Sequence, residues 1–176
     1  MTSRHQRSNA GFTLLELLVT IAVIAIVTSI AVPAFRSLVL SDRSLTQGTS
    51  LLLSLNLARS EAIKQDLANG VTVCTSTDGV TCTGTSNWAQ GWIVLSSASQ
   101  STPISVIPAL PNGSALSVTP ATTQVTFRSD GSATPVAFTL CDSRGWQYAR
   151  YTQVAFTGRV TATLGYDLSH NPLSCP

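Results

Sequence analysis

For acid–base, covalent or metal chemistry the chain offers four cysteines, two histidines and eight carboxylates. A Ser-His-Asp or Cys-His arrangement needs an imidazole beside its nucleophile. Past the first ten residues only His170 could supply one, in a C-terminal tail. The sequence has no HExxH pair, no Walker-type glycine loop and no GxSxG. Asp130 and Asp142 could be taken for an acid pair, but they stand beside Gly131 and Ser143, contexts that suit solvated turn residues. Asn112-Gly113-Ser114 fits a glycosylation acceptor, and Asn-Gly is also a strong turn signal; the turn is the expectation. No catalytic residue, cofactor or metal is therefore expected.

The cysteines point to a different use. Cys74, Cys82, Cys141 and Cys175 are even in number and form no CxxC, the pattern of a disulfide set in an oxidising compartment. Zinc is the rival, but the Cys74 to Cys82 spacing is wider than a zinc knuckle uses, and only His170 could help. Four cysteines allow three pairings, and sequence alone does not choose among them. We favour Cys74 with Cys82, closing a small polar loop, and Cys141 with Cys175, pinning the tail.

At 176 residues there is room for one compact domain and an appendage. With 10% charged and 44% hydrophobic residues the chain is not a disordered charged tail. Its net charge of +2 comes from Arg4 and Arg7; without them basic and acidic residues balance, so the overall charge selects no polyanion. The apolar excess is concentrated between Phe12 and Phe35, where Glu16 is the only charge. From Leu17 to Phe35 an uncharged run of 19 residues is long enough to span a bilayer as a helix. A secretory signal core usually runs about 7 to 15 residues; this one is longer and carries an acid. A lone carboxylate at the bilayer centre costs on the order of 2.5 to 3.5 kcal/mol by insertion scales, so Glu16 calls for a functional reason. A cut between Gly11 and Phe12 would place a new α-amino group four residues before Glu16, able to neutralise it in the same or a neighbouring copy.

Gly11-Phe12-Thr13-Leu14-Leu15-Glu16-Leu17 resembles the class III signal of type IV pilins and type II secretion pseudopilins. The resemblance implies cleavage after Gly11 by prepilin peptidase and N-methylation of Phe12. It also implies filament assembly through Glu16, paired with the Phe12 amino group of an adjacent subunit, together with Thr13, and a bend or local melting at Pro33. Arg4, His5 and Arg7 would hold the leader inside. Basic residues flanking the apolar run tie at two and two, with Arg36 and Arg43 on the far side. The cysteines break the tie and place the C-terminal part in the periplasm.

Past Pro33, Leu51, Leu55, Ala58 and Ala62 recur on one helical face. The expected helix runs from Phe12 to about Asn69, where Asn69-Gly70 is a stop signal, with kinks at Pro33 and Gly48. Beyond Gly70 the composition turns to Val, Thr, Ser and Gly with short alternations. Strands are expected at 71–74, 91–95, 104–107, 124–128, 136–141, 151–156 and 159–164, with a turn at Ser129-Asp130-Gly131-Ser132. The polar stretch 75–87 reads as a surface loop. The fold class is α+β, a type IV pilin-like fold with a long N-terminal helix, transmembrane in its first half, packed on a C-terminal antiparallel β domain. The expected organisation is a leader peptide at 1–11, a transmembrane and filament helix at 12–35, an amphipathic spine helix at 36–69 and a β-rich globular domain at 70–176.

The second half carries a further resemblance. Arg59-Ser60-Glu61-Ala62, Phe127-Arg128-Ser129-Asp130-Gly131, Phe138-Thr139-Leu140-Cys141-Asp142, Tyr148-Ala149-Arg150 and Thr157-Gly158-Arg159-Val160 are similar to the GspH/FimT group of minor pilins and pseudopilins, nearer the FimT and FimU pilus branch. This implies a minor pilin of the type IV pilus, acting in assembly or priming. Its partners would be other minor and major pilins, prepilin peptidase and the inner membrane, which it would cross once before reaching the pilus. A type II secretion pseudopilin is the alternative. DNA binding in natural transformation is a second: Gly158-Arg159 matches half of a Gly-Arg-x-Arg motif whose second arginine is here Thr161. Arg128, Arg144, Arg150 and Arg159 could converge on DNA, with Trp146, Tyr148 and Tyr151 for stacking. The competing reading is that these arginines pair with Asp130, Asp142 and Asp167 or scatter over strand faces, and that the aromatics are core. Thiol titration of the unfolded, unreduced protein is expected to find no free cysteine; four free thiols would overturn the periplasmic assignment.

Overall fold

The computed structural model describes residues 12–66, 69–99 and 102–175. Arg4, His5, Arg7 and the cleavage-site candidate Gly11 lie outside the described residues. The chain divides into two compact units, one ending at Val39 and the other starting at Leu40. A single helix, α1 (Leu14–Gln65), contributes to both. It starts two residues later than the sequence predicts because Thr13 caps it, its Oγ1 accepting the Glu16 backbone N–H at 3.2 Å. It ends four residues earlier, where Asp66 turns to a φ of 45°. Pro33 and Gly48 do not interrupt it; proline removes one helical hydrogen bond, to the Ser29 carbonyl, without ending the helix.

In the second unit the spacing of apolar residues on α1 does what a helical stripe should. Leu51, Leu55, Ala58 and Ala62 are buried and form one core with Trp88, Trp92, Phe138 and strand valines such as Val71, Val73, Val94 and Val125. The two tryptophans carry polar N–H groups into this core and both are satisfied: Trp92 Nε1 donates to Ser54 Oγ at 3.0 Å and Trp88 Nε1 to the Thr122 carbonyl at 2.8 Å. Trp88 meets Phe138 edge to face, with centroids 4.8 Å apart.

The strands are β1 (Val71–Thr75), β2 (Trp92–Ser96), β3 (Ser105–Ile107), β4 (Ala115–Thr119), β5 (Gln124–Phe127), β6 (Val136–Cys141), β7 (Arg150–Val154) and β8 (Val160–Leu164). They form two antiparallel sheets, ordered β3-β2-β1-β5 and β4-β6-β7-β8. Seven of the eight overlap the predicted strands. β4 was not predicted: it lies between Pro111-Asn112-Gly113 and Pro120, only Leu116 in it is buried, and as an edge strand it is held by β6 alone. Most predicted strands shift at an end by one or two residues, and two of these shifts have a visible cause. Gly91, with φ +105, precedes β2 rather than opening it, and Ala155 and Phe156 leave β7 to form the turn into β8, where the Gly158 N–H donates to the Ala155 carbonyl at 2.8 Å. Disulfides join Cys74 to Cys82 and Cys141 to Cys175. The first closes the 75–87 loop onto β1, and the second ties the tail to the end of β6.

Three backbone segments meet at Arg59. Its Nε donates to the Gly131 carbonyl at 3.3 Å and its Nη2 to the Thr157 carbonyl at 3.1 Å, so one α1 side chain holds the β5–β6 and β7–β8 turns together. Gly158 makes the approach possible: its φ is +69, and a Cβ there would overlap the Gly131 carbonyl oxygen. Gly145 also has positive φ, +93, but faces open space. Gly158→Ala is expected to cost about 3 kcal/mol or more and Gly145→Ala about 1 to 2 kcal/mol, measured as denaturant unfolding of the full chain; equal costs would remove the close-approach role.

Candidate assembly interface

Every side chain from Phe12 to Val39 is exposed. Phe12 is 82% exposed, and the leucines, isoleucines and valines that follow are uncovered as well. The polar side chains in this apolar run satisfy themselves on the helix. Thr20 Oγ1 donates to the Leu17 carbonyl at 2.8 Å, Thr28 Oγ1 to the Ile24 carbonyl at 2.8 Å and Ser29 Oγ to the Ile26 carbonyl at 2.7 Å. Groups bonded in this way need no water, which suits lipid or a protein core.

Glu16 differs from them. It sits in the first turn of α1, where a negative charge complements the helix N-terminus, and its N–H is held by Thr13. Neither of the two ion pairs found among the described residues involves its carboxylate. Thr13 thus has a structural task of its own as a cap, and Pro33 lies within the continuous helix.

The arginines of the second unit fall into two groups. Arg144 is committed within the fold: its Nη2 lies 2.6 Å from Asp142 Oδ2, Nη1 donates to Ser41 Oγ at 2.7 Å, and its guanidinium lies 4.2 Å above the Tyr148 ring. Burial raises the Asp142 pKa, but the hydrogen bonds and charge of Arg144 outweigh it and hold the carboxyl below its ordinary range. Arg150 donates Nε–H to Ser44 Oγ at 3.2 Å. Arg128 bonds Ser132 Oγ at 3.4 Å, while Arg159 is exposed beside the turn that Gly158 packs. The β7–β8 register pairs Arg150 with Leu164 and Val154 with Val160. Arg159 therefore lies five residues along the ladder from Arg150, about 16 Å at 3.3 Å per residue. The four arginines do not converge: Arg144 and Arg150 stand at one end of the second sheet, Arg128 and Arg159 beside the turns at the other.

The aromatic candidates divide as well. Trp146 is half-buried against Tyr166, edge to face at 5.6 Å, Tyr148 is exposed under Arg144, and the Tyr151 hydroxyl bonds Gln153 at 3.3 Å. Asp130 caps its own turn by accepting the Ser132 N–H at 2.8 Å. Asp167 accepts the backbone N–H groups of Ser169 and Asn171, each at 2.8 Å. His170 is exposed in the tail. Sequence reasoning missed Ser41, Ser44 and Gly48 as the helix positions that seat Arg144 and Arg150. The one signal for them is an isolated glycine inside a helical pattern: a Cβ at Gly48 would come within 2.8 Å of Arg150 Cδ.

Comparison with known proteins bears on both the stem and the second unit. Residues 47–158 match the family described as Type II transport protein GspH, and residues 6–32 match the Prokaryotic N-terminal methylation motif. No curated protein matches the chain. Among solved structures, the type IV minor pilin FimU of Pseudomonas aeruginosa is similar with a TM-score of 0.59 and 22% identity, over 77% of this chain and 96% of that one. The minor pseudopilin EpsH from the Type 2 Secretion System of Vibrio cholerae is similar with a TM-score of 0.50 and 14% identity, over 69% of this chain and 97% of that one. At these identities the structures show the fold, one long N-terminal helix packed on antiparallel sheets. The GspH match spans more than half of the sequence and the methylation motif covers the start of the stem, so the chain belongs to the GspH family as a minor pilin or pseudopilin.

Proposed function

We propose that the chain is a minor pilin of the type IV pilus that acts in pilus assembly and priming. On this reading prepilin peptidase removes 1–11 after Gly11, Phe12 is N-methylated, and 12–35 holds the subunit in the inner membrane and then in the filament. The part of α1 from 36 to Gln65 forms the spine, and 70–176 faces the periplasm before reaching the cell surface. The observation that carries the reading is Glu16, one carboxylate without a cation among the described residues, in a stretch from Phe12 to Val39 whose apolar side chains are all uncovered. A neighbouring subunit that supplies the Phe12 amino group would cancel that charge and cover the stem at once. The disulfides support the periplasmic orientation, because such bonds persist in oxidising compartments.

The description of the family by type II transport favours one second reading, a minor pseudopilin of a secretion system. Deletion separates the two: loss of piliation supports the pilus, and loss of exoprotein export with piliation intact supports secretion. Participation in DNA uptake has weaker support, because Arg144 is already paired and the remaining cations lie at separate ends of a sheet. The work of the subunit is assembly through surfaces rather than catalysis.

Glu16→Ala is expected to lower the share of the subunit in sheared filaments by about tenfold or more, the consequence of leaving one partner of a buried pair alone. Its disulfide-bonded domain should accumulate normally. Immunoblots of filament and membrane fractions measure both, and normal incorporation of the variant would refute the pairing role. Intact-mass measurement from the native host is expected to show a chain that begins at a methylated Phe12.

A further inference from the structure

The unit that begins at Leu40 contains a cation that its own fold leaves without a carboxylate. Arg150, the first residue of β7, lies across α1 at Gly48, where an added Cβ would meet its Cδ at 2.8 Å. Among the described residues its side chain donates to the Ser44 hydroxyl. The ion pairs among the described residues are Lys64–Glu61 and Arg144–Asp142, so no described carboxylate reaches Arg150. Burial and the neighbouring positive charge of Arg144 both hold its pKa below the ordinary arginine value; both therefore work against the charge that the fold keeps there. A half-buried guanidinium in this position is normally paired.

A groove of about 300 Å3 opens beside it, between α1 and the β7–β8 edge of the second sheet. Its walls are mostly apolar, from Leu45, Leu52, Ala162 and Leu164, with Thr49, two further threonines and Arg150 also lining it. Leu45 is 48% exposed and Leu164 53%, and β8 is, with β4, one of the two edge strands of its sheet, so this side has no strand beyond it to cover it. The apolar walls do not suit a phosphate backbone, which favours solvated, repeated cationic contacts. One guanidinium among leucines suits a single carboxylate carried between apolar side chains.

We propose that this groove receives a segment of a neighbouring pilin-type subunit, whose carboxylate pairs with Arg150 while its apolar side chains lie on Leu45, Leu52 and Leu164. The proposal rests on the assembly reading above and adds to it a contact on the globular unit, separate from the Glu16 pairing of the stem. It also gives Arg150 a task other than DNA contact.

The test uses the full chain in its native host, with the Thr49 side chain replaced by a photoreactive benzophenone amino acid that faces the groove. Irradiation of assembled filaments is expected to cross-link a pilin-type subunit at a segment containing Asp or Glu. Arg150→Glu should lower the cross-link about tenfold or more by setting like charges together, whereas Arg150→Lys should keep it within about threefold. Ala162→Trp, which fills the groove from an exposed position, should match the loss seen with Arg150→Glu. Non-reducing gels check that both disulfides form in each variant. Cross-links to DNA or lipid, or a subunit cross-link that survives both Arg150→Glu and Ala162→Trp, would overturn the proposal. Absence of any cross-link while the chain is present in filaments would overturn the groove contact alone. Absence of the chain from filaments would overturn the assembly reading and this proposal with it.

Discussion

An apolar helix that its own chain does not cover has to be covered by something else. From Phe12 to Val39 every side chain of this protein is exposed, and water cannot be the final environment of so much leucine, isoleucine and valine surface. A helix can enter lipid because its backbone satisfies itself, and the hydroxyls of Thr20, Thr28 and Ser29 do the same for the side chains. Glu16 is the exception: neither ion pair among the described residues involves its carboxylate, and the proposed pairing with a neighbouring subunit rests on that.

The second unit solves the opposite problem. Here α1 presents Leu51, Leu55, Ala58 and Ala62 to a core that the strands complete, and polar groups taken inside find partners within the unit. Ser54 receives the Trp92 N–H, and Arg59 bridges the Gly131 and Thr157 carbonyls. The two disulfides fasten the segments with least regular structure, the 75–87 loop and the C-terminal tail. The core, the bridging hydrogen bonds and both disulfides of this unit are thus made within it.

The arginines show how a motif can be divided between structure and surface. Gly158 and Arg159 are adjacent in sequence, yet Gly158 is consumed by the close contact with Gly131 that Arg59 organises, while Arg159 stays exposed. Arg144 is occupied by Asp142, Ser41 and Tyr148. Arg150, six residues later, keeps a charge that no described carboxylate answers. Adjacent arginines in such a sequence cannot be counted as one cationic surface until the strand register has placed them.

What the sequence determined by itself is whatever depends on local composition and short spacing. Glu16 in an uncharged run marks the stem, the four-three-four spacing marks the buried face of α1, and alternating Val, Thr and Phe mark seven of the eight strands, because helix and strand periods are written within a few neighbouring residues. Tertiary structure alone decided what depends on residues far apart meeting. It selected one of the three disulfide pairings, recruited β4 as an edge strand on the strength of its pairing with β6, and set Gly158 against Gly131. It also laid Arg150 over Gly48, across a hundred residues of chain. Each of these is fixed by sheet register and by the close packing of distant segments, and neither leaves a periodic trace in the chain.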